Sequence, residues 1–245
     1  MNRMLNRILP LALAFFVPFA TAASESLTGS GRSVTETRNV SGFTGVAFAL
    51  PGKLQVTQGD KESLTLTADD NVMLVIETVV EKGTLKLKFA RDNINVRNAK
   101  IAAVLTVRNL ESLAVAGSGD VASGPLKAQK LAVMIGGSGN VSIDTVNAFE
   151  VNVRIGGSGD LAVGGGHAEA LTVAIGGSGT LKAPKLESKR AKVSIGGSGD
   201  ASVWARETLN VSVAGSGSVR YYGDPALEKA VVGSGEVRRA GASPS

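Results

Sequence analysis

Hydrophobic and polar residues alternate in a pattern that returns every 20 residues through the second half of the chain. Aligned on that period, the apolar residues fall into three columns. The columns are Leu131, Val151, Leu171, Ala191 and Leu209; Val133, Val153, Val173, Val193 and Val211; and Ile135, Ile155, Ile175, Ile195 and Val213. The residues between the first two columns are mostly polar. Apolar residues at every second position are typical of a strand that buries one face.

A Gly-Ser-Gly block follows each of these strands. The blocks are centred on Ser118, Ser138, Ser158, Ser178, Ser198, Ser216 and Ser234, and the spacings are 20, 20, 20, 20, 18 and 18. A second short strand is predicted after each block, with Val141, Leu161, Leu181, Ala201 and Val219 facing inward. The third side of each repeat, residues 144–150, 164–170 and 184–190, varies more and is predicted to be exposed.

These patterns predict an all-β fold, a parallel β-helix or β-solenoid, right-handed, with coils of 18–20 residues. One coil cannot bury its apolar face alone, but stacked coils enclose a continuous core. Glycine is expected at the corners because some corner residues need a positive φ. Identical corners must also nest at a coil spacing of about 4.8 Å. The corner serines are expected to form a ladder of hydroxyls that bond the next coil.

The N-terminal half lacks the period but is rich in predicted strands. They cover residues 46–50, 54–57, 64–67, 72–80, 84–89 and 101–107. This half is expected either to continue the solenoid irregularly or to cap it with a small β-sheet, since an open end exposes strand edges. At the other end, Glu228-Lys229 and Arg238-Arg239 interrupt the apolar columns and predict the last coil.

The first residues have the pattern of a secretory signal peptide. Arg3 and Arg7 precede an apolar stretch, residues 8–20, and the small residues Ala20-Thr21-Ala22 follow it. The predicted organisation is a signal peptide at 1–23, a β-rich part at 24–115, the regular solenoid at 116–240 and a tail at 241–245. No later segment has the roughly 20 apolar residues of a membrane span. The chain is therefore expected in the periplasm or at the surface of a bacterium, without disulfides because it has no Cys.

Several segments together resemble a known family. They are Thr35 to Val46, Val56 to Asp60, Leu64 to Asn71 and the Gly-Ser-Gly-Asp repeats. In these segments the chain resembles the bacterial head GIN domain family of auto-transporter adhesins, across nearly all of its length after residue 23. The resemblance implies a parallel β-helix in an exported envelope protein with a role in adhesion. It supplies no catalytic residues.

Acidic residues recur directly after the glycine blocks. The column is Asp120, Asn140, Asp160, Thr180, Asp200, Ser218 and Glu236. Aspartates on alternate coils would lie about 10 Å apart, beyond the roughly 5 to 9.5 Å of glycosidase carboxylate pairs. Asp and Asn are common turn residues that bond nearby backbone, so a structural role at the corner is favoured. The period of 20 also disfavours the calcium-binding nonapeptide roll, and no cofactor or metal is predicted.

Two groups of residues are candidates for a ligand surface. Aromatic residues that stack on sugar rings are one, and a basic patch for an acidic polysaccharide is the other. The candidates are Trp204, Tyr221 and Tyr222, and Lys182, Lys185, Lys189 and Arg190. The structural alternatives are a cap on the core for the aromatics and a solvated face for the charges. His167, the single histidine, is interpreted as a solvated loop residue, which disfavours a zinc site or a catalytic triad.

Two classes of function remain. The first is a non-catalytic envelope module, an adhesin that binds a protein, a glycan or a surface along its flat faces. The second is a carbohydrate-active β-helix enzyme, a polysaccharide lyase or hydrolase. Regular coils leave little room for the long loops that form a catalytic groove, which favours the first. Nucleic acid is disfavoured as a partner, because aromatics make up only 4% of the chain and no basic stripe accompanies them.

Overall fold

The computed structural model describes residues 25–91 and 93–244, so the predicted signal peptide lies outside the described residues. The elements up to residue 107 are β1 (Glu25–Thr28), β2 (Ser33–Arg38), β3 (Gly45–Phe48), β4 (Lys53–Gln58), β5 (Ser63–Asp69), α1 (Asp70–Met73), β6 (Ile76–Glu81), β7 (Thr84–Phe89), β8 (Ile94–Arg97) and β9 (Ile101–Val107). The remaining strands are β10 (Ser112–Val115), β11 (Asp120–Ser123), β12 (Leu126–Ile135), β13 (Val141–Ile143), β14 (Val146–Ile155), β15 (Leu161–Val163), β16 (Gly166–Ile175), β17 (Thr180–Ile195), β18 (Asp200–Gly215), β19 (Ser218–Tyr222), β20 (Ala226–Gly233) and β21 (Glu236–Gly241). None of the described helices has the length and hydrophobicity needed to cross a membrane.

The chain winds into a parallel β-solenoid with three sheets, as predicted. In the first sheet, residues one coil apart lie in direct register, for example Val133 with Val153 and Val153 with Val173. The second sheet follows the glycine corners and contains β4, β9, β11, β13, β15, the first residues of β17 and β18, β19 and β21. The third sheet consists of the first residues of β12, β14 and β16, the middle of β17 and β18, and the last residue of β19, Tyr222.

The apolar columns form one continuous core. Every residue of the three predicted columns is buried, and so are the five inward residues of the second strand. The two 18-residue coils are shortened at the corner between the second and third sheets. There the register jumps, so that Ser202 faces Lys182 but Trp204 faces Glu187. This shortening of the coil does not disturb the columns of the first sheet, where Val211 still lies opposite Val193.

The corner glycines are required mainly because consecutive coils touch. A Cβ on Gly157 would overlap the carbonyl oxygen of Gly137, and one on Gly159 would overlap that of Gly139. This contact is the nesting expected from the repeat. Positive φ, the other expected reason, holds at Gly117 (φ 88°) and at the corners of the last two coils but not generally. The expected serine hydroxyl ladder is wrong, because the backbone amide of Ser158 donates to Gly137 O at 3.0 Å while the side chain is exposed.

The N-terminal half both continues the solenoid and caps it. The first coil is formed by β3 and β4, which pair with β10 and β11 across a long excursion of the chain. The excursion supplies β7 and β9 beneath this coil, followed by the antiparallel strands β6 and β5. β2, which precedes the first coil in the chain, pairs antiparallel with β5 and completes the cap. The strand expected over 72–80 differs at its start, where residues 70–73 form the helical turn α1 and β6 begins at Ile76.

The C-terminal coil carries charged residues at positions that are apolar in the preceding coils. In the inward columns Lys229 lies opposite Val211, and Arg239 lies opposite Tyr221. Both side chains are exposed, since no further coil covers them. Charges that point inward on an edge strand oppose pairing with another edge, so this end is protected against stacking on a second solenoid.

The corner geometry predicts a sharp difference between neighbouring glycines. Ala at Gly177 would push its Cβ into the carbonyl oxygen of Gly157, whereas Gly176 has no atom within 4 Å of the same position. Gly177→Ala should therefore destabilise the fold by about 1–3 kcal/mol, the usual cost of overpacking, and Gly176→Ala should be neutral. Urea denaturation midpoints of the two variants test this, and equal midpoints would contradict it.

The charged end predicts a gain of self-association when the charges are removed. Lys229→Val with Arg239→Tyr restores the apolar pattern of the preceding coil and leaves β20 and β21 as apolar edges. Sedimentation velocity at increasing concentration should show association beyond that of the unaltered chain. Lys192→Val is the matched control, because it removes a lysine that faces outward on the first sheet. No difference between variant and control would reject the protective role.

Candidate functional site

A long trough lies on the outer surface of the second sheet. One outward column runs along it, with one residue from each coil in direct register. From the N-terminal end the column is Val104, Gln55, Ala122, Ser142, Ala162, Lys182, Ser202, Arg220 and Arg238. The side chains are small in the middle of the column, which makes the surface concave there. The open cavity over β9, β4, β11, β13, β15 and the start of β17 measures about 730 Å³.

The floor of the trough is mostly apolar. Ala102 and Val104 line it at the capped end beside the exposed Lys53 and Gln55 of β4. Ala122 and Ala162 follow, with the polar Ser142 between them. Val104 is 55% exposed, although it belongs to a strand whose alternate residues are buried. β-Strand alternation directs these side chains outward, and no other described element covers them. The trough is therefore an apolar strip open to ligands.

One rim of the trough is formed by the acidic column. Asp120 Oδ1 accepts hydrogen bonds from the backbone amide of Asn140 at 3.1 Å and from its side-chain amide at 3.0 Å. Asn140 Oδ1 accepts from the amide of Asp160 at 3.2 Å, and Asp160 Oδ1 from the amide of Thr180 at 3.0 Å. The column ties each coil to the next, as the predicted corner role requires.

The far end of the column is cationic. Lys182 Nζ lies 3.3 Å from Asp160 Oδ2. Arg220 and Arg238 are exposed and lie in direct register on neighbouring strands. Within the described chain neither arginine makes an ion pair. They line a smaller cavity of about 260 Å³ that continues from the trough and includes Ser202.

The basic residues predicted as a patch lie on different sides of the solenoid. All four residues belong to β17. Lys182 lies in the trough, Lys185 lies where β17 passes from the second to the third sheet, and Arg190 lies where it leads into the first sheet. Lys189 hydrogen-bonds Glu169 at 2.8 Å. This bond lowers the pKa of the Glu169 carboxyl and raises that of the Lys189 ammonium. The corner between sheets separates these residues, so they form no common patch.

The aromatic candidates are also divided. Trp204 and Tyr222 are neighbours in register, whereas Tyr221 packs against the core. Because Trp204 lies opposite Glu187, the Trp204–Tyr222 pair belongs to the third sheet and not to the trough. Trp204 Nε1 is buried without a hydrogen-bond partner. The proposed sugar-stacking role of these residues stays a prediction.

The single histidine lies in strand β16 beside a glutamate, and not in a loop as the sequence suggested. His167 faces outward on the third sheet, with Nε2 3.7 Å from Glu169 Oε1. Over residues 25–91 and 93–244 no three His, Cys, Asp or Glu side chains are grouped as metal ligands.

Sequence reasoning missed the trough. The available signal was the recurrence of small residues two positions after the acidic column, at Ala122, Ser142 and Ala162. The part lined by Ala102 and Val104 had no such signal, because it depends on the pairing of β9 with β4 across the N-terminal excursion.

The family of the chain follows from a match to residues 42–225. This range includes the first coil, the cap apart from β2, and the trough apart from Arg238. The matching family is described as "Putative auto-transporter adhesin, head GIN domain". The chain belongs to this family. The match confirms the resemblance found in the N-terminal segments and in the repeats.

Solved structures of similar proteins share the solenoid. A putative adhesin from Bacteroides fragilis superposes with a TM-score of 0.81 at 27% identity, covering 87% of this chain and 99% of the other. A putative lipid binding protein from Parabacteroides distasonis gives 0.70 at 25% identity, covering 88% and 100%. A putative adhesin from Parabacteroides merdae, at 18% identity, gives 0.75 over 88% and 99% and supports the fold alone. No protein with a curated description matches the chain.

The hydrogen bonds of the rim predict that the side-chain acceptor of Asp160 contributes more to the free energy of unfolding than its negative charge does. Asp160→Ala removes the acceptor for the Thr180 amide and should lower the free energy of unfolding by about 0.5–1.5 kcal/mol. Asp160→Asn keeps an acceptor, as Asn140 does one coil earlier, and should stay near the unaltered value. Urea denaturation of both variants decides the matter, and equal losses would show that the Lys182 ion pair dominates instead.

Proposed function

We propose that the chain is an exported, non-catalytic envelope protein that binds its partner through the trough on the second sheet. The observation that carries this proposal is the mostly apolar floor of the trough. It crosses the five strands β9, β4, β11, β13 and β15, with outward Val or Ala on three of them and Gln55 and Ser142 on the other two. Exposed apolar patches of this kind commonly mark interaction sites. The rigid solenoid keeps the floor in shape without a ligand.

Several observations support this function. The signal-like N-terminus favours export, and the family description favours adhesion. The relative from Bacteroides fragilis is named an adhesin, and the relative from Parabacteroides distasonis is named for lipid binding. Both names are consistent with an apolar trough that binds a ligand without transforming it.

The enzymatic alternative has less support. A polysaccharide lyase or hydrolase needs acidic and basic groups that converge in a cleft. The rim carboxylates instead accept hydrogen bonds from the next coil, and Lys182 pairs with Asp160. The rim has a complete structural role that leaves no free acid–base pair.

Filling the trough should abolish partner binding. Ala122→Trp places an indole on the floor, while Ala174→Trp places it at an outward position of the first sheet. Purified protein should co-sediment with envelopes isolated from the native host, and Ala122→Trp should lose at least tenfold of that retention. Ala174→Trp should retain it, because its surface lies outside the trough.

Equal retention of the two tryptophan variants would reject the trough as the binding surface. Fractionation of the native host tests export separately, and recovery of the chain in the cytoplasm would contradict it. Turnover of a polysaccharide by the purified chain would restore the enzymatic alternative.

A further inference from the structure

We propose that the trough binds a single-chain anionic amphiphile, with the acyl chain on the apolar floor and the anionic headgroup at Lys182, Arg220 and Arg238. This inference rests on the proposed function, which makes the trough the binding surface. It adds the class of the ligand and its direction along the solenoid. Two independent features of the second sheet carry it.

The first feature is the length of the apolar floor. It runs from Val104 on β9 to Ala162 on β15, which is four strand spacings or about 19 Å. One acyl chain fills half of a hydrocarbon core about 30 Å thick, or about 15 Å. The floor therefore accommodates one acyl chain laid along the solenoid axis. It offers no aromatic platform for a sugar ring, since Trp204 and Tyr222 lie on the third sheet.

The second feature is the cationic end. Arg220 lies directly opposite Arg238, and like charges opposite one another in a sheet repel. Asp200 and Glu236 line the same cavity, but within the described residues neither forms an ion pair with these arginines. Asp160 pairs with Lys182, and Asp200 accepts hydrogen bonds from Ser218. An anion between the arginines would offset their repulsion, and guanidinium groups bind phosphate in a bidentate geometry.

The two features lie on one column, and this sets the direction of the ligand. Lys182 follows Ala162 by one strand spacing, and Ser202 and Arg220 follow in register. An amphiphile whose chain ends at Ala162 thus brings its headgroup to Lys182 and Arg220. At the opposite end one cation, Lys53, lies beside Ala102. The headgroup is therefore placed at the other end, where Lys182, Arg220 and Arg238 share one column.

Calorimetric titration with three matched probes tests the inference. The probes are lauroyl lysophosphatidylglycerol and monolaurin, both below their micellar concentrations, and glycerol 3-phosphate. The anionic amphiphile should bind one to one and at least tenfold more tightly than monolaurin, and glycerol 3-phosphate should bind weakest. Arg220→Gln with Arg238→Gln should reduce the first affinity to that of monolaurin, whereas Arg154→Gln, an exposed arginine of the first sheet, should not.

Ala122→Trp should abolish binding of both amphiphiles, and Ala174→Trp should leave it intact. Equal affinity for the anionic and neutral amphiphiles, or unchanged affinity in the double arginine variant, would overturn the headgroup site. Equal affinity for glycerol 3-phosphate would overturn the acyl site. Concentration-dependent dimerisation that Ala122→Trp removes would identify a second copy of the chain as the occupant and overturn the inference.

Failure of this inference is distinguishable from failure of the proposed function. If none of the three probes binds but Ala122→Trp still releases the protein from envelopes, the trough remains the binding surface and only the ligand class is wrong. If Ala122→Trp has no effect on envelopes, the proposed function fails first.

Discussion

The structure depends on the close contact between consecutive coils at the glycine corners. There the carbonyl oxygen of one coil occupies the space that a Cβ of the next would need, and the corner amide donates to that coil's backbone. This contact fixes the coil register at 20 or 18 residues, because a shift would place side chains in the corner. Register then aligns the apolar columns of the core and the acidic column of the rim. The solenoid is a consequence of one repeated steric constraint.

Because the register is fixed, the inward residues specify the fold and the outward residues are available for binding. The inward positions must remain apolar, but each outward column can change without disturbing the core. On the second sheet the outward column changes from apolar to small to cationic along the axis. A gradient of this kind requires a backbone that places one residue per coil at a constant spacing of about 4.8 Å.

The sequence predicted most of the fold because it is repetitive. The columns through Val133 and Ile135, the corners and the role of Asp160 all follow from periodicity. Of the two reasons predicted for the corner glycines, the close nesting of consecutive coils holds along the repeat, whereas positive φ holds at only a few corners. The sequence did not decide whether the N-terminal half continues the solenoid or caps it, because β7 and β9 pair with the first coil across a long excursion of the chain. The trough was missed because part of its floor also depends on this long-range pairing, of β9 with β4. The basic patch was predicted from residues that are close in sequence, such as Lys182 and Lys189, but a corner between sheets separates them.

The central claim is that the outer surface of the second sheet binds an anionic amphiphile. Methyl NMR of the chain labelled at alanine tests it most directly, because outward-facing alanines lie on both surfaces. Ala102, Ala122 and the half-buried Ala162 line the trough, and Ala174 and Ala230 lie on the first sheet. Addition of lauroyl lysophosphatidylglycerol should shift the three trough methyls and leave the two on the first sheet unchanged. Shifts spread over both sheets, or none in the trough, would contradict the account.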